Sequence, residues 1–139
     1  MWLLDTNVIS EMRKLYTGRA DASVERWAAS TFVGQMYLST MTVFEIETGI
    51  VRLRRKDKFQ ADILHDWLHN RVLPEFGRRV IAVDTDIALR CAGLHATADK
   101  SDHDSFIAAT ALVHGFTVAT RNVKDFVPMG VKVLNPWEG

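Results

Sequence analysis

The chain has 139 residues, 47% hydrophobic and 24% charged, which is the composition of an ordinary soluble globular protein with room for a substantial core. Lys plus Arg and Asp plus Glu are both 17, so net charge does not advertise nucleic-acid binding and only charge patterning could. The lone Cys91 excludes an internal disulfide, and no apolar run approaches the roughly 20 residues that span a bilayer. Met1 leads straight into Trp2-Leu3-Leu4-Asp5, without the basic and apolar regions of a signal peptide, so a cytoplasmic protein with no membrane partner is expected.

In chain order, a strand at 2–4 is followed by helical patterns at 7–14 and 22–32 and a strand at 36–39. Helices at 42–55 and 57–76 lead to a strand at 80–83. Helices at 85–99 and 103–114 then precede strands at 117–120 and 131–134. Such alternation favours a mainly parallel sheet of roughly five strands with both faces covered, the α/β class. Gly34, Gly49, Gly77 and Gly115 fall near proposed helix ends, where a left-handed cap is often needed. Pro74 sits late in the 57–76 segment as an end or a kink, and Pro128 and Pro136 flank the last strand. No repeat, linker or low-complexity stretch interrupts the pattern, so residues 1–139 are expected to form a single domain. Ala108, Ala109 and Ala111 beside Phe106, Ile107, Leu112 and Val113 give the 103–114 helix small residues for close packing on a sheet, so it is expected to be central and buried.

Four carboxylates, Asp5, Glu45, Asp104 and Asp125, each stand where a strand-like run hands over to a helix-like one. In a parallel α/β sheet, helices that follow strands start on one edge, where ligands bind. Carboxylates scattered along the sequence can meet there, and a divalent cation is the usual way to offset their mutual repulsion. A plainer reading stands beside this one. Thr42-x-x-Glu45 and Ser101-x-x-Asp104 fit the capping box, Asn122-x-x-Asp125 is a close relative of it, and Asp5 could equally be an N-cap.

Taken together, Leu4-Asp5-Thr6-Asn7-Val8-Ile9-Ser10, Glu45-Ile46-Glu47-Thr48-Gly49, Asp104-Ser105-Phe106-Ile107-Ala108-Ala109-Thr110-Ala111 and Thr120-Arg121-Asn122-x-x-Asp125-Phe126 resemble, in order and spacing, the successive motifs of PIN-domain nucleases. The resemblance covers nearly the whole chain and is strongest to the VapC/FitB-type toxins of bacterial toxin–antitoxin modules. It implies a three-layer α/β/α sandwich, divalent-metal-dependent cleavage of RNA, a homodimer, and control by a small DNA-binding antitoxin encoded alongside. Asp5, Glu45 and Asp104 match the first three acidic positions. Many relatives carry the fourth acid directly after the Thr-Arg pair, where this chain has Asn122, and Asp125 lies three residues later. Asn122 could instead hold a water through its amide oxygen.

Magnesium takes one or two carboxylates and keeps several waters. The expected arrangement has Asp5 and Asp104 binding Mg²⁺ (or Mn²⁺) directly, with Glu45 binding through water or sharing a second ion. Thr6 and Thr120 are candidates for hydrogen bonds to ligands or phosphate. Arg52, Arg54, Arg55, Lys56 and Lys58 follow the Glu45 helix, either as a solvated basic helix end or as phosphate contacts beside the crevice. Trp27, Trp67 and Phe59 read as core or partner-interface residues.

Three rival chemistries are visible. His65-Asp66-Trp67-Leu68-His69 places two imidazoles one helical turn apart and imitates a zinc-hydrolase helix, but Asp66 stands where those enzymes carry Glu and no third ligand is evident. A phosphotransferase could use Asp5 as nucleophile, although Asn7 stands where a second Asp would be expected. A non-catalytic module could use the acidic crevice to bind a basic partner segment.

Overall fold

The computed structural model describes residues 1–98 and 101–139. Its five strands are β1 (Trp2–Leu4), β2 (Met36–Ser39), β3 (Val80–Ile81), β4 (Thr117–Ala119) and β5 (Val133–Leu134). They form one sheet in the order β3-β2-β1-β4-β5, and every pairing is parallel. The helices are α1 (Thr6–Met12), α2 (Ala22–Ser30), α3 (Thr40–Arg54), α4 (Lys58–Trp67), α5 (Leu73–Phe76), α6 (Thr85–Ala98), α7 (Asp102–His114) and α8 (Val123–Phe126). Among the described residues, no helix is long and apolar enough to cross a membrane.

The strands are apolar on both faces because both faces are covered. Side chains alternate along a strand, so Leu4, Met36, Leu38 and Ala119 point into one core, with Val8, Ile9, Ile46, Ile50, Trp67 and Phe76. Leu3 and Val118 point into the opposite core, against Ile107, Ala108, Ala111 and Phe126. This is the expected α/β/α sandwich. Helix α7 is completely buried from Ile107 to Ala111, its alanines permitting the close approach that their size suggested. Gly115 ends it in the left-handed conformation, φ 70°, where a side chain would be strained.

The differences from the expected elements have local causes. Strands β3 and β5 are each two residues long, because each is an edge strand with a partner on one side only. Helix α3 starts at Thr40, not 42, because Ser39 is its cap and accepts the Met41 N–H at 3.0 Å. Gly49 therefore lies inside α3, and Gly34 lies in a 3₁₀ turn at Val33–Gln35. The 57–76 segment is not one α-helix. A π-helical turn, Leu68–Val72, separates α4 from α5, and the Leu73 N–H donates to the Leu68 carbonyl. Pro74 lies directly beyond, has no N–H and crowds the preceding turn, and a widened turn accommodates both defects. The last residue of the 85–99 expectation lies outside the described residues.

The chain lays β1, β2 and β3 outward on one side, then returns across β1 to lay β4 and β5 on the other. The order reverses between β1 and β4, and a crevice opens beyond the carboxyl ends of strands at such a point.

Candidate active site

Asp5 stands at that reversal. Its N–H continues the β1–β4 pairing by donating to the Ala119 carbonyl at 2.9 Å. Its side chain caps α1, with Oδ1 accepting the Thr6 N–H at 2.8 Å. Oδ2 accepts the Thr120 hydroxyl at 2.7 Å and the Asn7 amide at 3.3 Å. Asp5 is only 5% exposed, and Thr120 is fully buried. Asp5 is thus a helix cap, and capping with Oδ1 does not exclude a ligand role.

Thr120 is the hub of a small network. Its oxygen accepts the Asn122 N–H at 3.0 Å while its hydroxyl donates to Asp5. Asn7 reaches the same hydroxyl at 3.5 Å and accepts the Arg121 N–H on its own Oδ1 at 3.2 Å. The turn after β4 is therefore stitched to the turn after β1.

Glu45 and Asp104 arrive from α3 and the first turn of α7. Ser101 caps α7 and accepts the Asp104 N–H at 3.2 Å, so that half of the anticipated capping box exists. The other box does not, since Ser39 caps α3 and Glu45 lies more than a turn inside it. Burial pushes the Asp5 carboxyl above its ordinary range, the Thr120 and Thr6 hydrogen bonds oppose this, and the Asp104 charge adds to it. Burial likewise raises Glu45, with the Asp5 and Asp104 charges adding to the rise. The imidazole of His103, whose Nδ1 lies 3.7 Å from Glu45 Oε2, pulls it back down. The Asp104 charge therefore reaches both Asp5 and Glu45. Asp125 lies in the first turn of α8, where its N–H donates to the Asn122 carbonyl, and Asn122 begins α8 without a side-chain cap.

Among the described residues, four buried side-chain oxygens lack a hydrogen bond of good geometry: Thr6 Oγ1, Thr42 Oγ1, Glu45 Oε1 and Ser105 Oγ. Buried polar atoms are normally satisfied by protein, water or an ion. Glu45 Oε1 is one of the four, although the Thr6 hydroxyl lies near enough to lower the Glu45 carboxyl, and Thr6 and Ser105 directly follow Asp5 and Asp104 in the chain. Hard, partly buried oxygens of this kind suit Mg²⁺ or Mn²⁺.

A cleft of about 590 Å³ takes Glu45 into its wall, with Asp5 and Asp104 outside its lining, and is also lined by Thr6, Asn7, Arg13, Lys14 and Arg121. Lys14 is paired with Glu11 at 3.1 Å, and Arg121 lies 5.1 Å over the Trp137 ring. The basic run after α3 lies elsewhere. Arg54 pairs with Asp62, and Arg52 and Arg55 line a separate cavity beside Phe44 and Val51. Of the aromatics, Trp67 is buried and Trp27 packs edge-on against Trp2 with centroids 5.8 Å apart, while Phe59 is exposed.

Sequence reasoning did not single out Asn7, Arg13 or His103 for the site, because nothing local marks them. Their significance comes from neighbours brought in by the fold. It also found no third ligand for His65 and His69, and the structure supplies one in Glu47.

Residues 2–127 match the family model described as PIN domain. VapC ribonuclease Y4jK of Sinorhizobium fredii is 38% identical over 146 residues, an alignment that covers 99% of this chain and 99% of that protein. The crystal structure of FitAcB from Neisseria gonorrhoeae superposes with a TM-score of 0.87 at 35% identity, covering both chains completely. A toxin–antitoxin complex from Klebsiella pneumoniae superposes at 0.68, with 26% identity and the same complete coverage.

Proposed function

The chain belongs to the PIN-domain family, and from that premise we propose that it is the toxin of a type II toxin–antitoxin module, a divalent-metal-dependent ribonuclease. The observation that carries the proposal is the convergence of Asp5, Glu45 and Asp104 near the sheet's reversal point, where the Asp104 charge raises both Asp5 and Glu45 and the Asp5 charge also raises Glu45. A relative named a ribonuclease and a similar fold solved in a toxin–antitoxin complex support it.

Asp5, Asp104 and Glu45 would hold Mg²⁺ or Mn²⁺, with Asp125 or Asn122 in the fourth position. When bound, such an ion stabilises charge developing on a phosphodiester and makes water beside it a better nucleophile. The chain's own residues prepare the site. The Thr120 hydroxyl and the Thr6 N–H fix the Asp5 carboxyl in place and favour its ionised form against burial, and Asn7 ties that carboxyl to the Arg121 turn. Both Asp5 oxygens are engaged and the residue is nearly buried, which suits a fixed ligand and disfavours a nucleophile attacking phosphorus. The same reading includes a homodimer and capture by a small DNA-binding antitoxin. Exposed Phe44 and Val51 on α3 offer apolar surface to such partners.

Phosphate binding falls to Arg13 and Arg121 in the cleft, not to the basic helix end. Replacing both by Ala should reduce the salt slope of RNA binding by about 1.4, since each phosphate neutralised on a single strand contributes roughly 0.7. Arg54→Ala/Arg55→Ala should leave the slope unchanged, and the opposite pattern would restore the basic helix end as the RNA-binding element.

The raised carboxylates make the site pH-dependent. Folding holds extra protons on Asp5 and Glu45, so their contribution to stability is greatest at low pH and is lost as pH rises through the raised values. Mg²⁺ should offset that loss. At ten times its Kd, near pH 7.5, the linkage is about 1.4 kcal/mol, or roughly 5 °C in Tm. This increment should fade as the carboxylates protonate, and an undiminished increment at about pH 4 would place the ion elsewhere.

Activity is tested by incubating the antitoxin-free chain with a panel of structured RNAs in Mg²⁺ or EDTA. Cleavage in Mg²⁺ alone is expected. Antitoxin binding without turnover of any RNA would favour the non-catalytic module.

A further inference from the structure

We propose that Glu47 on α3, His65 on α4 and His69 in the π turn that follows α4 form a second cation site that takes a borderline transition-metal dication of the Zn²⁺ type. The site uses none of the residues assigned to the carboxylate cleft, and it goes beyond the nuclease reading.

His65 and His69 stand one turn apart, their rings stacked with centroids 4.1 Å apart and an interplanar angle of 23°. Glu47 meets them from the neighbouring helix, with Oε1 2.7 Å and Oε2 3.4 Å from His69 Nε2. One ligand atom from each residue can be chosen so that all lie within 4.8 Å of one another. Zn–N and Zn–O bonds of 2.0–2.2 Å at tetrahedral angles place ligand atoms about 3.4 Å apart. The Glu47–His69 separations of 2.7 and 3.4 Å, within a set spanning no more than 4.8 Å, are compatible with that value. Both imidazoles are exposed, so small ring rotations can close the set without disturbing the core.

The donor chemistry separates the two sites. Imidazole nitrogens favour Zn²⁺, Cu²⁺ or Ni²⁺, whereas Mg²⁺ and Mn²⁺ favour the all-oxygen trio. Two His and one Glu leave a fourth position for water or for a side chain of a partner. Asp66, where a zinc hydrolase would carry its base, instead accepts the Asn70 amide at 2.6 Å. The site therefore acts as a clasp that joins α3 to α4 and the π turn after it. Because α3 also carries Glu45, the clasp bears on the helix that supplies one of the three carboxylates.

The test titrates Zn²⁺ into the chain carrying Asp104→Asn, which weakens the carboxylate cleft as a competitor, with Co²⁺ absorbance reporting geometry. One saturable equivalent is expected, with a tetrahedral Co²⁺ spectrum. Glu47→Gln, His65→Ala and His69→Ala should each weaken it at least about tenfold, while circular dichroism stays unchanged. Failure of the nuclease reading would leave this result standing, since no step of the test measures activity. The proposal is overturned if Zn²⁺ binds without saturation, or if the three substitutions leave its affinity within about twofold.

Discussion

Asp104→Asn should reduce metal-dependent RNA cleavage by on the order of 10³-fold while leaving the chain folded, more than the roughly 10–100-fold that loss of a supporting residue costs. The change is nearly isosteric. The cap on α7 is made by the Ser101 hydroxyl accepting the backbone N–H of residue 104, which the substitution does not touch. The buried Ile107–Ala111 stretch that anchors α7 is also unaltered. What is removed is the charge that raises both Asp5 and Glu45. Cleavage within a few-fold of wild type, with a matching circular dichroism spectrum, would take Asp104 out of the site.

Thr120→Val is the second large effect, and it falls on stability and on pH dependence together. Valine keeps the shape but gives Asp5 no donor and the Asn122 N–H no acceptor. Leaving such groups unpaired costs about 1–3 kcal/mol. The Thr120 hydrogen bond also opposes the upward shift of Asp5, so its removal should push that carboxyl further up. The acidic limb of the cleavage profile should move to higher pH, with activity at neutral pH reduced about 10–100-fold. Thr120→Ser, which keeps the hydroxyl, should recover most of both properties. A profile unmoved by the valine would mean that Thr120 is only a packed strand-end residue. Thr110→Val makes a useful contrast, since the Thr110 hydroxyl only back-bonds to the Phe106 carbonyl at 2.7 Å within α7.

The sequence made β1, β2 and the core of α7 legible because their apolar runs are short, sharply bounded and buried on both sides of the sheet. It overstated the edge strands, where pairing on one side sustains fewer residues than the apolar run suggests. The start of α3 was hidden by two hydroxyl residues in competition, Ser39 and Thr42, and only the observed hydrogen bond decides between them. The π turn could be suspected from Pro74, but its place at Leu68–Val72, two to six residues earlier, reflects packing of Leu68 and Val72 into the core.

Asp5 was legible because it directly closes β1, but Glu45 lies inside α3, Asp125 inside α8, and Asp104 opens a helix that follows α6 and not the strand-like run expected before it. The residues that hold the carboxylates were not legible. Asn7 acts through Thr120, 113 positions away, and Glu47 meets His69 across 22 residues and a change of helix. The basic run after α3 is the reverse case. It is conspicuous in sequence, yet Arg54 is committed to Asp62 and the cleft takes its cations from Arg13 and Arg121.

The most direct test of the central claim, that Asp5, Glu45 and Asp104 constitute a divalent-cation site, is a calorimetric titration of Mg²⁺ into the antitoxin-free chain and into Asp104→Asn at neutral pH. Saturable binding by the wild-type chain, lost or weakened at least about tenfold in the variant, is the expected result. Equal Mg²⁺ affinity in the two proteins, or no saturable binding by either, would contradict it.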